Sequence, residues 1–500
     1  MNTLAVTQHI SSQANWPLHS VAQTLALEYQ SQALLPANTL MQRAGLATAQ
    51  LAMAVAPHAR TVWIACGPGN NGGDGLEAAV HLQARGKQPI VTWLGSEAKA
   101  PEDTLRAWQR AKAAGVTFAE QPPQQFELVI DALLGIGAQR APEGLMAQWL
   151  GVIQANTGPV LCVDIPTGLL ADTGEWLGAT QPHRTTANTR THRHNHRHTL
   201  SLLTLKPGLF TADGQDAAGQ VWFNDLGVKP SPTPAAWLQQ HGAAPIDRPH
   251  NSHKGSFGDV SVLGGAPGMA GAAMLAGLAA LHGGAGRVLV GLMDEAAHPT
   301  VTAAHPALMV RRPSELNLDT STVVCGCGAG DGIHAVLHQA LSTSKQLVLD
   351  ADALNAIARD TSLQTLLKKR HARQKPTVLT PHPLEAARLL NCTTKDVQQN
   401  RVHAAQQLAD TFQCVVVLKG SGSIIASPQC TPVINGSGNA LLATAGTGDV
   451  LAGLVGAYIA RHDDVFKATC QAVFAHGHAA DAWPSVGPAL DAASLAASVR

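Results

Sequence analysis

Short runs of apolar, often β-branched residues alternate along the chain with longer stretches in which Ala and Leu recur at helical spacing. In the first half the runs fall at Thr61–Cys66, Pro89–Leu94, Leu128–Leu133 and Val160–Ile165. The same rhythm returns at Asp259–Leu263, Arg287–Gly291, Thr322–Gly326, Gln346–Leu349, Thr377–Leu379 and Cys414–Leu418. Runs that are apolar throughout, rather than alternating with polar residues, suit strands covered on both faces. Their alternation with helical patterns predicts βαβ units and parallel sheets, an α/β fold in two series. Leu226–His253 interrupts the rhythm and is dense in proline, most of all at Lys229–Pro234, so a semi-rigid linker is expected there. Val260–Gly286 has no Asp, Glu, Lys or Arg and could mimic a membrane span. Gly264–Gly268 and His282–Gly284 punctuate it, so it reads instead as strand, glycine loop and helix inside a buried layer.

Five hundred residues exceed what one hydrophobic core usually supports, which divides the chain into domains 1–228 and 250–500 with a linker at 229–249. Lys plus Arg and Asp plus Glu are both 34, so no overall field draws the molecule to nucleic acid or an anionic membrane. The eight cysteines lie mostly in apolar stretches, with only Cys325 and Cys327 close together, and match neither a disulfide framework nor a zinc spacing. The polar segment Met1–Asn15 lacks a signal-peptide layout, and together these features lead us to expect a reduced, cytoplasmic protein. The tract 184–198, with THRHNHRH at its end, reads as a solvated insertion. Its alternating Arg residues would place cations among any His ligands, which argues against a metal site.

Candidate chemistry gathers at strand ends. Thr61–Cys66 runs into Gly67-Pro-Gly-Asn-Asn-Gly-Gly-Asp-Gly75, with a helix expected from about Leu76. A glycine-rich turn ahead of a helix brings backbone N–H groups close to a phosphate. Asn70, Asn71 and Asp74 add oxygens that suit a ribose or a hard cation. Two further strands close on Asp131 and Asp164, where a parallel sheet places its ligands. In the second half, Gly446-Thr-Gly-Asp449 opens an Ala/Leu helix. It combines free backbone donors, a helix N-terminus and a carboxylate able to take a hydroxyl proton, which is the arrangement phosphoryl transfer to an alcohol requires.

These motifs resemble two known families. NNGGDG at 70–75, VIDALLG at 129–135, VDIPTG at 163–168 and LKPGL at 205–209 look like the NAD(P)H-hydrate epimerase domain across nearly all of 15–228. That resemblance implies a Rossmann-like three-layer αβα domain. It implies that Asn70, Asn71, Gly72, Gly73 and Asp74, with Gly135, Ile136, Gly137, Ala138, Gln139, Arg140 and Ala141, hold the dinucleotide. It further implies that Asn71, Asp131 and Thr167 bind K+ and that Asp164 is the catalytic acid/base and a substrate contact. Thr167 stands where that family usually has serine, and its extra methyl is expected to crowd the ion.

HKGSFG at 253–258, VLGGAPGMAGAA at 262–273, LDADALN at 349–355, LTPHPLEAARLL at 379–390, LKGSGS at 418–423 and ATAGTGDVLAGL at 443–454 look like the ADP-dependent NAD(P)H-hydrate dehydratase. This implies a C-terminal ribokinase-like αβα domain using ADP with Mg2+. Lys419, Gly420, Ser421, Gly422, Ser423 and Gly448 are then expected on the nucleotide, and Ala272, Gly328, His382 and Asp449 on the hydrated cofactor, with Asp449 as catalytic base. Leu384 occupies a position where that family has glycine, which predicts a backbone unable to take a positive φ there. Gly326-Cys-Gly-Ala-Gly330 carries a cysteine where a proline-bearing loop is usual.

The expected substrates are therefore NADH hydrate and NADPH hydrate, with ADP, in a protein that forms a homo-oligomer and binds neither nucleic acid nor membrane. The alternative is a small-molecule kinase for a vitamin precursor or sugar, preceded by a non-catalytic interaction domain.

Overall fold

The computed structural model describes residues 6–11, 14–178, 196–229, 233–242 and 249–499. The chain divides into two compact units, one built on 16–236 and the other on the residues from 237 onward.

The first unit carries β1 (Gln8–His9), β2 (Trp16–Leu18), β3 (Thr61–Cys66), β4 (Gln88–Trp93), β5 (Thr117–Phe118), β6 (Leu128–Ala132), β7 (Val160–Val163), β8 (Arg197–Leu202) and β9 (Gln220–Asn224). Its main sheet has the order β1-β9-β8-β7-β6-β3-β4-β5, parallel throughout except for the β1/β9 pair. Every residue of β6 and β7 is buried, as runs covered by helices on both faces require. The helix after β3 begins at Asn70, six residues before the expected start, so the Asn/Gly/Asp segment forms its first turns. Glycine serves packing there. A Cβ on Gly72 would lie 2.0 Å from the Gly67 carbonyl oxygen, and one on Gly75 would lie 2.8 Å from Cys66 Sγ. The helix can therefore lie directly on the strand it follows. The expected insertion at 184–198 lies outside the described residues as far as 195, and Arg197 and His198 open β8.

The second unit contains β10 (Ala236–Gln239), β11 (Asp259–Gly264), β12 (Arg287–Leu292), β13 (Met309–Arg311), β14 (Thr322–Cys325), β15 (Gln346–Leu349), β16 (Thr377–Leu379), β17 (Val415–Leu418), β18 (Ile424–Ala426) and β19 (Val433–Asn435). Their order is β13-β12-β11-β14-β15-β16-β17-β18-β19-β10. The run from β13 to β17 is parallel, β17-β18-β19 is an antiparallel meander, and β10 lies parallel to β19. The segment expected to be a linker thus supplies a strand, with Trp237 opposite Val433. Its proline density had hidden a four-residue run that gains its order from the neighbouring strand.

The helices Ala270–His282 and Thr447–Ile459 pack on this sheet with their backbones almost touching. A Cβ on Gly453 would sit 2.0 Å from the Ala276 carbonyl oxygen. Because the obstacle is backbone, Gly453→Ala must push the two helices apart. We expect a loss of about 1–3 kcal/mol, measured as a fall of several degrees in the unfolding midpoint of this unit. An unchanged midpoint would mean that the pair has room to separate.

Candidate active sites

In the first unit the carboxyl ends of β3, β6 and β7 lie side by side, where a parallel sheet opens onto its ligand crevice. The exits of β3 and β6 touch only because residue 67 is glycine: a Cβ there would fall 1.7 Å from the Leu133 carbonyl oxygen. Asp131, at the end of β6, is buried. Its Oδ1 accepts from Thr167 Oγ1 at 2.7 Å, and its Oδ2 accepts from the Thr167 N–H at 3.1 Å. Burial pushes this carboxyl up, against those hydrogen bonds. Gly135 lies beside Asn71, whose buried amide nitrogen and oxygen both lack a hydrogen-bond partner. A buried carboxylate, a hydroxyl and an unpartnered amide oxygen form an oxygen-donor set that fits a hard monovalent cation.

Asp164 directly follows β7 at φ 65°, a left-handed conformation that a short polar side chain tolerates. Its backbone is fixed by donation to the Leu200 carbonyl at 2.8 Å. Its Oδ1 accepts from the Leu202 N–H at 3.1 Å and from the Lys206 ammonium. Lys206 is fully buried. It also donates to the Leu202 carbonyl at 2.6 Å and to Ser201 Oγ at 3.3 Å, so all three of its protons are engaged. Asp74 and Glu28 place two further carboxyl groups in the same region. Burial, then the charge of Asp164, pushes the Asp74 carboxyl well up, and Glu28 is raised by the same two causes in the same order.

In the second unit the loops after β14, β15 and β17 meet the N-terminus of the Thr447–Ile459 helix. Lys419 Nζ donates to Asp350 Oδ1 at 2.7 Å, and Thr380 Oγ1 donates to the same oxygen at 2.9 Å. A Cβ on Gly448 would lie 3.4 Å from Lys419 Nζ, which brings the LKGSGS loop against the GTGD turn. Gly446, at φ 89°, takes the turn that starts the helix, and Asp449 lies in its first turn. The Asp449 carboxyl is pushed up to about 6, by burial first and then by the charge of Asp350, while a hydrogen bond from Cys327 acts the other way. Ligand atoms of Cys327, Asp350 and Asp449 lie within 4.8 Å of one another. Lys419 resists the effect of its own burial, and its pKa moves up because Asp350 and Glu385 hold the proton.

Two family descriptions match: "NAD(P)H-hydrate dehydratase" over 260–498 and "YjeF-related protein N-terminus" over 37–208. The chain is 36% identical over 472 residues to a bifunctional NAD(P)H-hydrate repair enzyme of Escherichia coli (strain K12), covering 88% of this chain and 84% of that one. The chain belongs to the bifunctional NAD(P)H-hydrate repair enzymes. Its second half is similar to an ADP-dependent (S)-NAD(P)H-hydrate dehydratase of Neisseria meningitidis serogroup B, at 42% identity over 240 residues, 47% of this chain and 80% of that protein. A solved ADP/ATP-dependent NAD(P)H-hydrate dehydratase from Bacillus subtilis, co-crystallised with ATP/Mg2+, is 30% identical with a TM-score of 0.45 and covers 51% of this chain and 91% of that one.

The expected residues of this family member fall into distinct settings. Asn70 to Asp74 lie in the first turns of a helix, and Gly135 to Ala141 form a partly exposed loop beside Asn71. Gly328, at φ 57°, packs against Ala272, where an added Cβ would approach to 2.8 Å. Ser423 Oγ bridges Gly420 N–H and Gly420 C=O, closing the LKGSGS loop on itself. His382 caps a helix: its Nδ1 accepts from Leu384 N–H at 3.1 Å and from Glu385 N–H at 3.4 Å, and its Nε2 lies 3.2 Å from Glu385 Oε1. That leaves the ring engaged by its own helix. Leu384 lies inside the Pro383–Leu390 helix and is absent from the positive-φ positions, so the conformational conflict expected there does not arise.

Two contributors escaped sequence reasoning. Arg401 is buried beneath the LKGSGS loop and donates to the Leu418 and Lys419 carbonyls at 3.3 and 3.2 Å. Lys206 lay within a recognised motif, but its partner is 42 residues away. An unusually apolar setting for a lysine hinted at Lys206, whereas Arg401 follows Gln398, Gln399 and Asn400 and carries no such signal.

Proposed function

We propose that this chain restores hydrated NADH and NADPH, with an epimerase in residues 1–228 that interconverts the R and S hydrates and an ADP-dependent dehydratase in 250–500 that acts on the S form. The observation that carries the reading is the match to bifunctional repair enzymes over both halves, together with a strand-end or helix-start carboxylate in each half. In the epimerase, Asp164 takes the proton of the C6 hydroxyl. The C6–N1 bond breaks as N1 gains a proton, and reclosure on the opposite face reverses both transfers. Asn71, Asp131 and Thr167 would hold K+, which supplies positive charge near the dinucleotide. The Thr167 hydroxyl that binds Asp131 keeps a lone pair for it, although the Leu134 N–H also uses this oxygen at 3.0 Å.

In the dehydratase, Asp449 takes the C6 hydroxyl proton and the freed oxygen attacks the β-phosphorus of ADP, with AMP leaving. Cleavage of C6–O then expels phosphate, and loss of a C5 proton restores the ring double bond. Lys419 to Ser423 and Gly448 would bind the nucleotide, while Ala272 and Gly328 would form the wall beside the hydrated ring. Mg2+ would accompany the nucleotide phosphates and needs no protein cage. A cytoplasmic homo-oligomer is the setting in which we place this activity. Among the described residues no helix is long and apolar enough to cross a membrane.

The test is the return of dihydronicotinamide absorbance when the protein meets an epimeric mixture of NADH hydrate with ADP and Mg2+. Full recovery is expected. Recovery halting at one epimer would remove the epimerase, and stable phosphorylation of a pyrimidine or thiazole alcohol without phosphate release would replace the dehydratase by a kinase.

A further inference from the structure

Resting on the epimerase reading, we infer that Lys206 is a positioning residue for Asp164: its buried ammonium holds that carboxylate in place, aimed to accept the first proton. The geometry carries this. Lys206 has no exposed surface, and its proton donors are spent on Asp164, the Leu202 carbonyl and Ser201 Oγ. Ser201 Oγ in turn donates to the Thr204 carbonyl at 2.8 Å, so the cradle is closed on itself. Among the contacts of the described residues, Asp164 is the one carboxylate paired with this ammonium. A lysine buried in this way needs a partner of opposite charge beside it, and the Asp164 carboxylate is that partner.

The same pairing answers a problem created by the surroundings. Burial first, and then the charge of Asp164, favour the neutral acid at Glu28 and Asp74. Lys206 singles out Asp164. The Leu202 N–H and the ammonium share Oδ1, which leaves Oδ2 of Asp164 for a hydroxyl proton. The left-handed backbone at residue 164 turns the carboxylate back toward the β8 exit, where Lys206 is held.

The role is separable from substrate binding, because Lys206 is buried behind the carboxylate rather than lining the crevice. Lys206→Met is therefore expected to lower kcat for R-to-S interconversion at least 100-fold while KM changes less than threefold. In Lys206→Ala, methylamine is expected to recover at least tenfold of the lost kcat by occupying the vacated cradle. Dehydration of pure S hydrate by the same preparations is the internal reference. If Lys206→Met does not stay folded, Lys206→Arg decides. It keeps a cation but cannot fit the same three acceptors, so kcat should fall at unchanged KM. Wild-type kcat in Lys206→Met or Lys206→Arg, or parallel losses in kcat and KM with no rescue by methylamine, would overturn the positioning role. Absence of interconversion in the wild-type protein would instead overturn the epimerase reading itself.

Discussion

Replacing Asp449 by Asn is expected to slow ADP-dependent dehydration of S hydrate by roughly 10²–10⁴-fold, the range a positioned general base contributes. The change preserves shape and leaves the helix start intact, so nucleotide binding should survive. Isothermal titration with ADP would verify this. Asp449 sits near pH 6 because burial and the neighbouring Asp350 both oppose its ionisation. A base works only when deprotonated, so the wild-type rate should be flat above that pH. Below it, the rate should fall by about tenfold per unit. Single-turnover rates between pH 4.5 and 8 read this limb. A rate independent of pH across that window, or an Asp449→Asn protein with near-normal turnover, would remove Asp449 from proton transfer.

Asp164→Asn is expected to bring R-to-S interconversion down to the spontaneous rate, a loss of roughly 10²–10⁴-fold, while dehydration of S hydrate continues at full speed. An epimeric mixture would then regain absorbance in two phases: a fast one for the S fraction and a slow one limited by uncatalysed epimerisation. A single fast phase to completion would exclude the assignment. The substitution also leaves the buried Lys206 ammonium without its counter-ion, at a cost of about 3–5 kcal/mol. The first unit should therefore melt earlier, and the assay is best run well below its midpoint. The two substitutions dissect one absorbance trace: Asp449→Asn removes all recovery, and Asp164→Asn removes only its R-derived part.

The sequence was most legible where one local rule sufficed. Apolar runs such as Leu128–Ala132 and Val160–Val163 are strands because they are buried on both faces, and their spacing by helical segments requires parallel pairing. The same logic placed Asp131, Asp164 and Asp449 at strand ends or a helix start. It failed for the short strands β18 and β19, whose three residues carry no periodicity, and for β10, whose order comes from Val433–Asn435 across almost 200 intervening residues. It also misplaced the start of the Asn70–Ala84 helix. Glycine is read locally as a loop former, whereas Gly72 lets the helix lie against the Gly67 backbone, and Gly73 and Gly75 make room for the side chains of Met41, Thr104, Cys66 and Ala132.

By itself, then, the sequence determined the α/β class, the two series of βαβ units and the acidic positions, because hydrophobic period and strand-end chemistry are properties of neighbours in the chain. Tertiary structure alone decided which groups act on those acids. The pairing of Lys206 with Asp164, Lys419 with Asp350, Cys327 with Asp449 and Arg401 with the LKGSGS loop spans 17 to 122 residues. Charges and hydrogen bonds act over a few ångströms in space, and only the folded chain brings such distant residues within that reach.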